Sequence, residues 1–192
     1  MSRTVQVKND PPPIFISEKP AILVIFDGAP LFDPIKGTGL KFAVNTNWDV
    51  LQDAASKTYY LRDDRSWLQA AEVKGSWTPV ATLPVAFTKL PDDEKWQEVK
   101  ANIPGQPFAA DLVPQVFVSE VPAELIVLQG QPQYQPIPQT NLMWVTNTQS
   151  HLLFSAVDND YYYTFLDKRP ELRVTLQRLV NQELARKLES LV

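Results

Sequence analysis

The chain contains no cysteine, which excludes disulfides, thiolate nucleophiles and cysteine-ligated metals together. Histidine is nearly absent as well: His151 stands alone, so a zinc site would need carboxylate or water for its remaining ligands. The six glycines are scattered and never cluster ahead of a helix, which rules out a phosphate-cradling loop. Positive charge is not in excess either, since the net charge is −4. That balance argues against binding along a nucleic-acid phosphate backbone. No run approaches the roughly 18 apolar residues of a membrane span. Residues 1–13 are polar and end in prolines, unlike the apolar core of a signal peptide. Read literally, the chain is soluble, and exported only if it is a fragment of a longer protein.

Proline is plentiful. Seventeen prolines flank short apolar runs, a pattern of edge strands and rigid connections. The apolar fraction of 44% with 21% charge is enough for a packed core.

The most informative feature is a duplication. Residues 14–61 align without a gap on residues 116–163, as in Phe15 with Phe117, Pro20-Ala21 with Pro122-Ala123 and Gly28 with Gly130. Further matches are Pro34-Ile35 with Pro136-Ile137, Asn45-Thr46 with Asn147-Thr148 and Tyr59-Tyr60 with Tyr161-Tyr162. A constant spacing with its turn residues retained predicts one unit used twice. The predicted fold is α+β and β-rich: two tandem antiparallel β-meander repeats, a connector helix and a C-terminal amphipathic helix. Its expected divisions are an N-terminal extended arm at 1–13, repeat one at 14–81, a helical connector at 82–114, a truncated repeat two at 115–166 and the helix at 167–192.

Within repeat one, the continuous run Ile22 to Phe26 predicts a strand covered on both faces. Pro30 to Ile35 reads as an extended edge piece. Hairpins are expected around Ala55-Ser56-Lys57 and around Asp63-Asp64, and parallel crossover units are not expected. Pro91 to Asn102 predicts a helix, with acidic residues at its start and Trp96, Val99 and Ile103 on one face. Pro104-Gly105 stops it. Pro170 to Leu191 carries leucines at helical spacing. Its heptad seam fails at Glu183 and Arg186, so it is expected to pack on a sheet or a partner rather than form a coiled coil. After Tyr162 the copies diverge: repeat two has Arg169 and Leu179 where repeat one has Trp67 and Trp77. The missing hairpin leaves a sheet edge, which the tail helix is expected to cover.

The order Gly28-Ala29-Pro30, Pro34-Ile35, Thr38-Gly39-Leu40, Asn45-Thr46, Tyr59-Tyr60-Leu61, Ser66-Trp67, Gly75-Ser76-Trp77 resembles repeats of bacterial proteins labelled carbohydrate-binding family V/XII. The resemblance implies glycan binding through the Tyr-Tyr…Trp segment and implies no catalytic residue.

Candidate ligand-binding residues are therefore Tyr60, Trp67 and Trp77 with Asp63 and Asp64. Aromatic faces stack on pyranose C–H groups, while carboxylates and amides bond the hydroxyls. The same rings could fill a β core or present a protein-binding surface. Alternation along a strand puts Tyr59 and Tyr60 on opposite faces, so at most one points to solvent. Asp63-Asp64 as a glycosidase pair is a minor alternative, because adjacent acids in a turn need no catalytic role. Asp158-Asn159-Asp160 resembles a calcium loop without its glycine and glutamate. No catalytic residue, metal or cofactor is expected. The leading expectation is a non-catalytic binding or scaffold module engaging a polysaccharide or cell-wall glycan. The alternative is an assembly protein using the repeat surface and C-terminal helix for protein contacts or oligomerisation.

Overall fold

A computed structural model describes residues 12–164 and 176–178. It is β-rich, with one α-helix and sheets built mainly of antiparallel strands. The strands are β1 (Ile14–Ser17), β2 (Ala21–Ile25), β3 (Phe32–Ile35), β4 (Leu40–Ala43), β5 (Val50–Asp53), β6 (Tyr59–Asp63), β7 (Ser66–Ala70) and β8 (Thr78–Pro79). A 3-10 turn (Val85–Lys89) and helix α1 (Glu94–Ala101) follow. Then come β9 (Gln115–Ser119), β10 (Glu124–Val127), β11 (Tyr134–Pro136), β12 (Leu142–Val145), β13 (Leu152–Ser155), β14 (Asp160–Thr164) and β15 (Leu176–Arg178). The chain divides into two compact units, one of residues 19–123 and the other of 12–18 with the described residues from 124 onward.

In the unit of residues 19–123, β3 to β8 form a meander of six antiparallel strands in sequence order. Its turns follow from local chemistry. In the β5–β6 hairpin, the Asp53 carboxylate accepts the Ser56 hydroxyl at 2.7 Å and the Ser56 N–H at 3.2 Å. The Ser56 hydroxyl bond, above all, holds Asp53 below its ordinary pKa. Lys57 closes that turn at φ 62 and Asp64 closes the next at φ 49. Pro34 sits on edge strand β3, where a missing N–H costs no ladder bond.

Both faces of this sheet are covered. On one, Val50, Leu61 and Leu68 pack with Ile22, Val24 and Phe26 and with Val116 and Val118 of β9. On the other, Leu40, Leu51, Tyr60 and Trp67 pack beneath Phe87, Trp96 and Val99. Helix α1 thus buries the face expected of it, and Pro104-Gly105 follows its end. Burial in β2 alternates, with Ile22 and Val24 buried and Leu23 and Ile25 half-buried. The expected cover on both faces of β2 is thus complete on the side of Ile22 and Val24 and partial on the other.

In the other unit, β11 to β15 form a five-stranded antiparallel sheet. Its core joins Ile126, Leu128, Val145, Leu152 and Tyr161 to Ile14 and Ile16 of β1. The pairings of the two sheets agree residue for residue at the spacing of the sequence match. Phe32 opposes Ala43 as Tyr134 opposes Val145, and Leu51 opposes Tyr60 as Leu153 opposes Tyr162. The side-chain bonds of one asparagine agree too. Asn45 Nδ2 donates to the Asp27 and Ala29 carbonyls at 2.9 Å each, and Asn147 Nδ2 to those of Gln129 and Gln131 at 3.0 and 2.7 Å. Each asparagine Oδ1 accepts one further N–H, from Leu31 or Gln133, at 2.9 Å. This bonding pins the turn at Gly28 and its counterpart at Gly130, both at φ 80.

The helix expected at 167–192 falls mostly on residues 167–175 and 179–192, outside the described residues. Within it, Leu176–Arg178 is a strand, not a helix: β15 pairs antiparallel with β14, Tyr163 opposite Gln177. The edge of β14 is therefore closed at this point by ladder hydrogen bonds rather than by a helical lid.

Parallel pairing, which the sequence reading did not expect, occurs twice. β1 lies parallel to β10, Ile14 opposite Glu124, and β2 lies parallel to β9, Ile22 opposite Val116. Each stretch therefore lends its opening strand to the second strand of the other. The reason is connection length. β1 joins β2 through Glu18, Lys19 and Pro20 alone, whereas a parallel pair needs a crossover of about a dozen residues.

Tyr163 donates its hydroxyl to Glu124 Oε2 at 3.0 Å. Burial, and then the Glu124 charge, push its phenol up to about 12. A folded-state pKa above the unfolded value of about 10 contributes stability that is complete below pH 10. That contribution is lost as pH rises from about 10 to 12. Burial raises the Tyr60 phenol as well, so alkaline titration of tyrosine absorbance should show a late phase that Tyr163→Phe reduces by one phenol.

No helix among the described residues is long and apolar enough to cross a membrane.

Candidate functional site

The structure does not gather the sequence-predicted site residues on one surface. Tyr60 is 5% exposed and Trp67 1% exposed, and both set an edge against Phe87, at centroid distances of 5.1 and 5.3 Å. Trp67 Nε1–H donates to the Asn102 carbonyl at 2.7 Å, tying β7 to the end of α1. Trp77 lies on the opposite face of the sheet, half-buried, with its Nε1–H donating to the Val73 carbonyl at 3.1 Å. Asp64 is exposed at the β6–β7 turn. Asp63 is half-buried, and burial, with help from Asp64 and against Arg62, raises its pKa. A sugar platform of Tyr60, Trp67 and Trp77 is thus corrected: two of its rings are core and the third belongs to another layer. His151 is exposed, with its ring edge-on to Trp144 at 6.5 Å.

A groove opens elsewhere on the unit of residues 19–123, where β4, the segment after it and α1 meet. Its volume is about 370 Å³, and its walls include Phe42, Val44, Trp48, Leu51, Lys95 and Trp96. A more polar cleft of about 490 Å³ adjoins it through the shared residues Thr46, Trp48 and Asp49 and adds Asn47, Arg62, Asp64 and Glu98. Phe42 meets Trp96 edge-on at 5.4 Å. The Lys95 ammonium lies 3.3 Å above the Phe42 ring centroid, a cation–π contact. Trp48, which also lines the groove, is half-buried, packs against the cluster of Ile22, Val24 and Phe26, and donates its Nε1–H to the Leu23 carbonyl at 2.8 Å.

Comparison with protein-family models, curated proteins and solved structures gives no match.

Arg62 organises the floor of the polar cleft. Its Nε donates to Asp49 Oδ2 at 2.8 Å, its Nη2 reaches Glu98 Oε1 at 2.9 Å, and its Nη1 donates to the Asp64 carbonyl at 2.9 Å. Burial pulls the guanidinium pKa down, but Asp49 and Glu98 together more than offset this and hold it above its ordinary value. With 11% of its side chain exposed, Arg62 acts as a tether between β6 and α1. Thr46, Asn47 and Asp49 line the rest of the cleft; the Asn47 Oδ1 accepts the Ile25 N–H at 2.8 Å and the Thr46 hydroxyl at 3.4 Å, which ties this rim to β2.

Among the described residues no three His, Cys, Asp or Glu side chains are grouped to hold a metal. The groove and the cleft offer aromatic side chains, one ammonium, and amide and carboxylate groups. Those parts suit recognition of a polar ligand that also has apolar faces. Sequence reading missed Phe42, Trp48 and Lys95 because they come together only when α1 lands beside β4. The one local signal was the alternation of Leu40, Phe42 and Val44.

Proposed function

We propose that this chain is a non-catalytic binding module whose groove takes a polysaccharide or cell-wall glycan. The observation that carries the reading is a groove lined by Phe42, Thr46, Trp48, Asp49 and Lys95 that adjoins a polar cleft containing Asn47 and Arg62. Aromatic walls accept the C–H faces of a pyranose, and the polar rim bonds its hydroxyls. The order of turn residues and aromatics shared with carbohydrate-binding repeats supports the same ligand class. The contact surface moves from the buried Tyr60 and Trp67 to the groove.

The coincident strand registers and the matching asparagine bonds support a further reading of the architecture, as one β unit used twice. The groove belongs to the first use alone, since Phe42, Trp48 and Asp49 correspond to Trp144, Ser150 and His151.

Retention on insoluble glycans tests the function. Wild type should be pulled down by at least one of chitin, cellulose or peptidoglycan. Val44→Arg, which places a charge at a groove position 45% exposed, should weaken retention about tenfold or more by blocking the depression. Val157→Arg, at a site 69% exposed in the other unit, should leave it unchanged. Failure of wild type to bind any of the three removes the glycan reading.

A further inference from the structure

We propose that β1 and β9 are exchangeable donor strands, so that a second copy of this chain is itself a binding partner, engaged by strand exchange. The first ground is that no copy can complete itself. In both joints the opening strand lies parallel to a second strand, a pairing for which the connection to its own is too short: residues 18–20 after β1 and 120–123 after β9. The donor has to come from another copy of the unit.

The two joints are also equivalent. Donors Ile14-Phe15-Ile16-Ser17 and Val116-Phe117-Val118-Ser119 sit in the same register on acceptors β10 and β2. Beyond the ladder, the Leu128 N–H donates to the Ser17 carbonyl at 2.9 Å and the Phe26 N–H to the Ser119 carbonyl at 2.8 Å. An acceptor thus meets the same alternation, the same phenylalanine and the same terminal carbonyl whichever donor arrives.

Each joint is built into a core. Val116 and Val118 pack against the cluster of Val24 and Phe26, while Ile14 and Ile16 pack against that of Ile126 and Leu128. An acceptor without a donor exposes this apolar surface and an open strand edge, which is what a strand from another molecule would cover. Both hinges carry proline at the same place, Pro20 and Pro122. Proline holds the residue before it extended, so the donor is directed away from its own acceptor. Short, stiff hinges of this kind favour exchange between molecules.

The absence of native cysteine makes a clean test on the full chain. Phe15 and Leu125 are register partners, within the separation that a disulfide spans. The single variants Phe15→Cys and Leu125→Cys are mixed, unfolded in denaturant, refolded together and oxidised. A disulfide-linked heterodimer is expected. Its yield should rise in proportion to concentration until it nears the millimolar effective concentration typical of an intramolecular partner. The double variant Phe15→Cys/Leu125→Cys, refolded dilute, should link within one chain. Leu23→Cys with Phe117→Cys reads the other joint by the same protocol and covers the case in which one variant folds poorly. Intramolecular linkage of the double variants with no heterodimer link at any concentration would overturn the proposal. So would failure of both double variants to link once native circular dichroism has returned.

Discussion

Trp67→Ala should lower the stability of the unit of residues 19–123 by about 3–5 kcal/mol, the range for removing a fully buried large aromatic side chain. The side chain is 1% exposed and packs edge-on against Phe87. Truncation leaves a cavity under the helix and strips the Asn102 carbonyl of its indole donor. Urea unfolding followed by circular dichroism measures it: the midpoint should fall with little change in slope. The result bears on function as well as stability. A solvent-facing sugar platform would lose binding on this substitution while stability stayed within about 0.5 kcal/mol. Loss of glycan retention in Trp67→Ala would therefore report unfolding, and groove variants such as Val44→Arg are the ones that report binding.

Gly105→Ala carries the second large effect. Gly105 adopts φ +96, and a Cβ there would lie 2.5 Å from Trp67 Cδ1 and 3.2 Å from the Arg65 carbonyl oxygen. The left-handed backbone costs a non-glycine residue about 1–2 kcal/mol, and the overpacking adds about 1–3 kcal/mol. The total loss should be about 2–5 kcal/mol by denaturant titration. Gly28→Ala supplies the control. Its φ is +80 but a Cβ meets nothing within 4 Å, so only the backbone cost of about 1–2 kcal/mol is expected. Because the added methyl collides with the very ring that Trp67→Ala removes, the double variant should cost less than the two changes summed. Strict additivity would show that the indole and Gly105 do not touch.

These two residues mark where sequence reading reached and where it stopped. Hairpins at Ala55-Ser56-Lys57 and Asp63-Asp64 were legible because turn chemistry is local, and the edge position of β3 was legible from Pro34. The face of α1 followed from the spacing of Trp96 and Val99. For Tyr60 and Trp67, alternation gave the side of the sheet but not what lies over that side. Only the landing of the 3-10 turn and α1 makes them core. The residue pattern did not mark the parallel joints, because parallel and antiparallel pairing use the same alternating residues. Connection length could have hinted at them, since three residues cannot bring β1 alongside β2 in the same direction. The groove was invisible for the same tertiary reason: Phe42 and Lys95 are far apart in the chain and meet by packing.

The lending of β9 to β2 also sets an order of events during synthesis. β2 leaves the ribosome well before β9 has been translated. At roughly 5–20 residues per second, its edge and the apolar side of Phe26 wait about 5–20 s for their partner. During that interval the nascent first half is a receptor for any strand of suitable pattern. Neighbouring chains on one message are thus placed where they could entangle before either is finished.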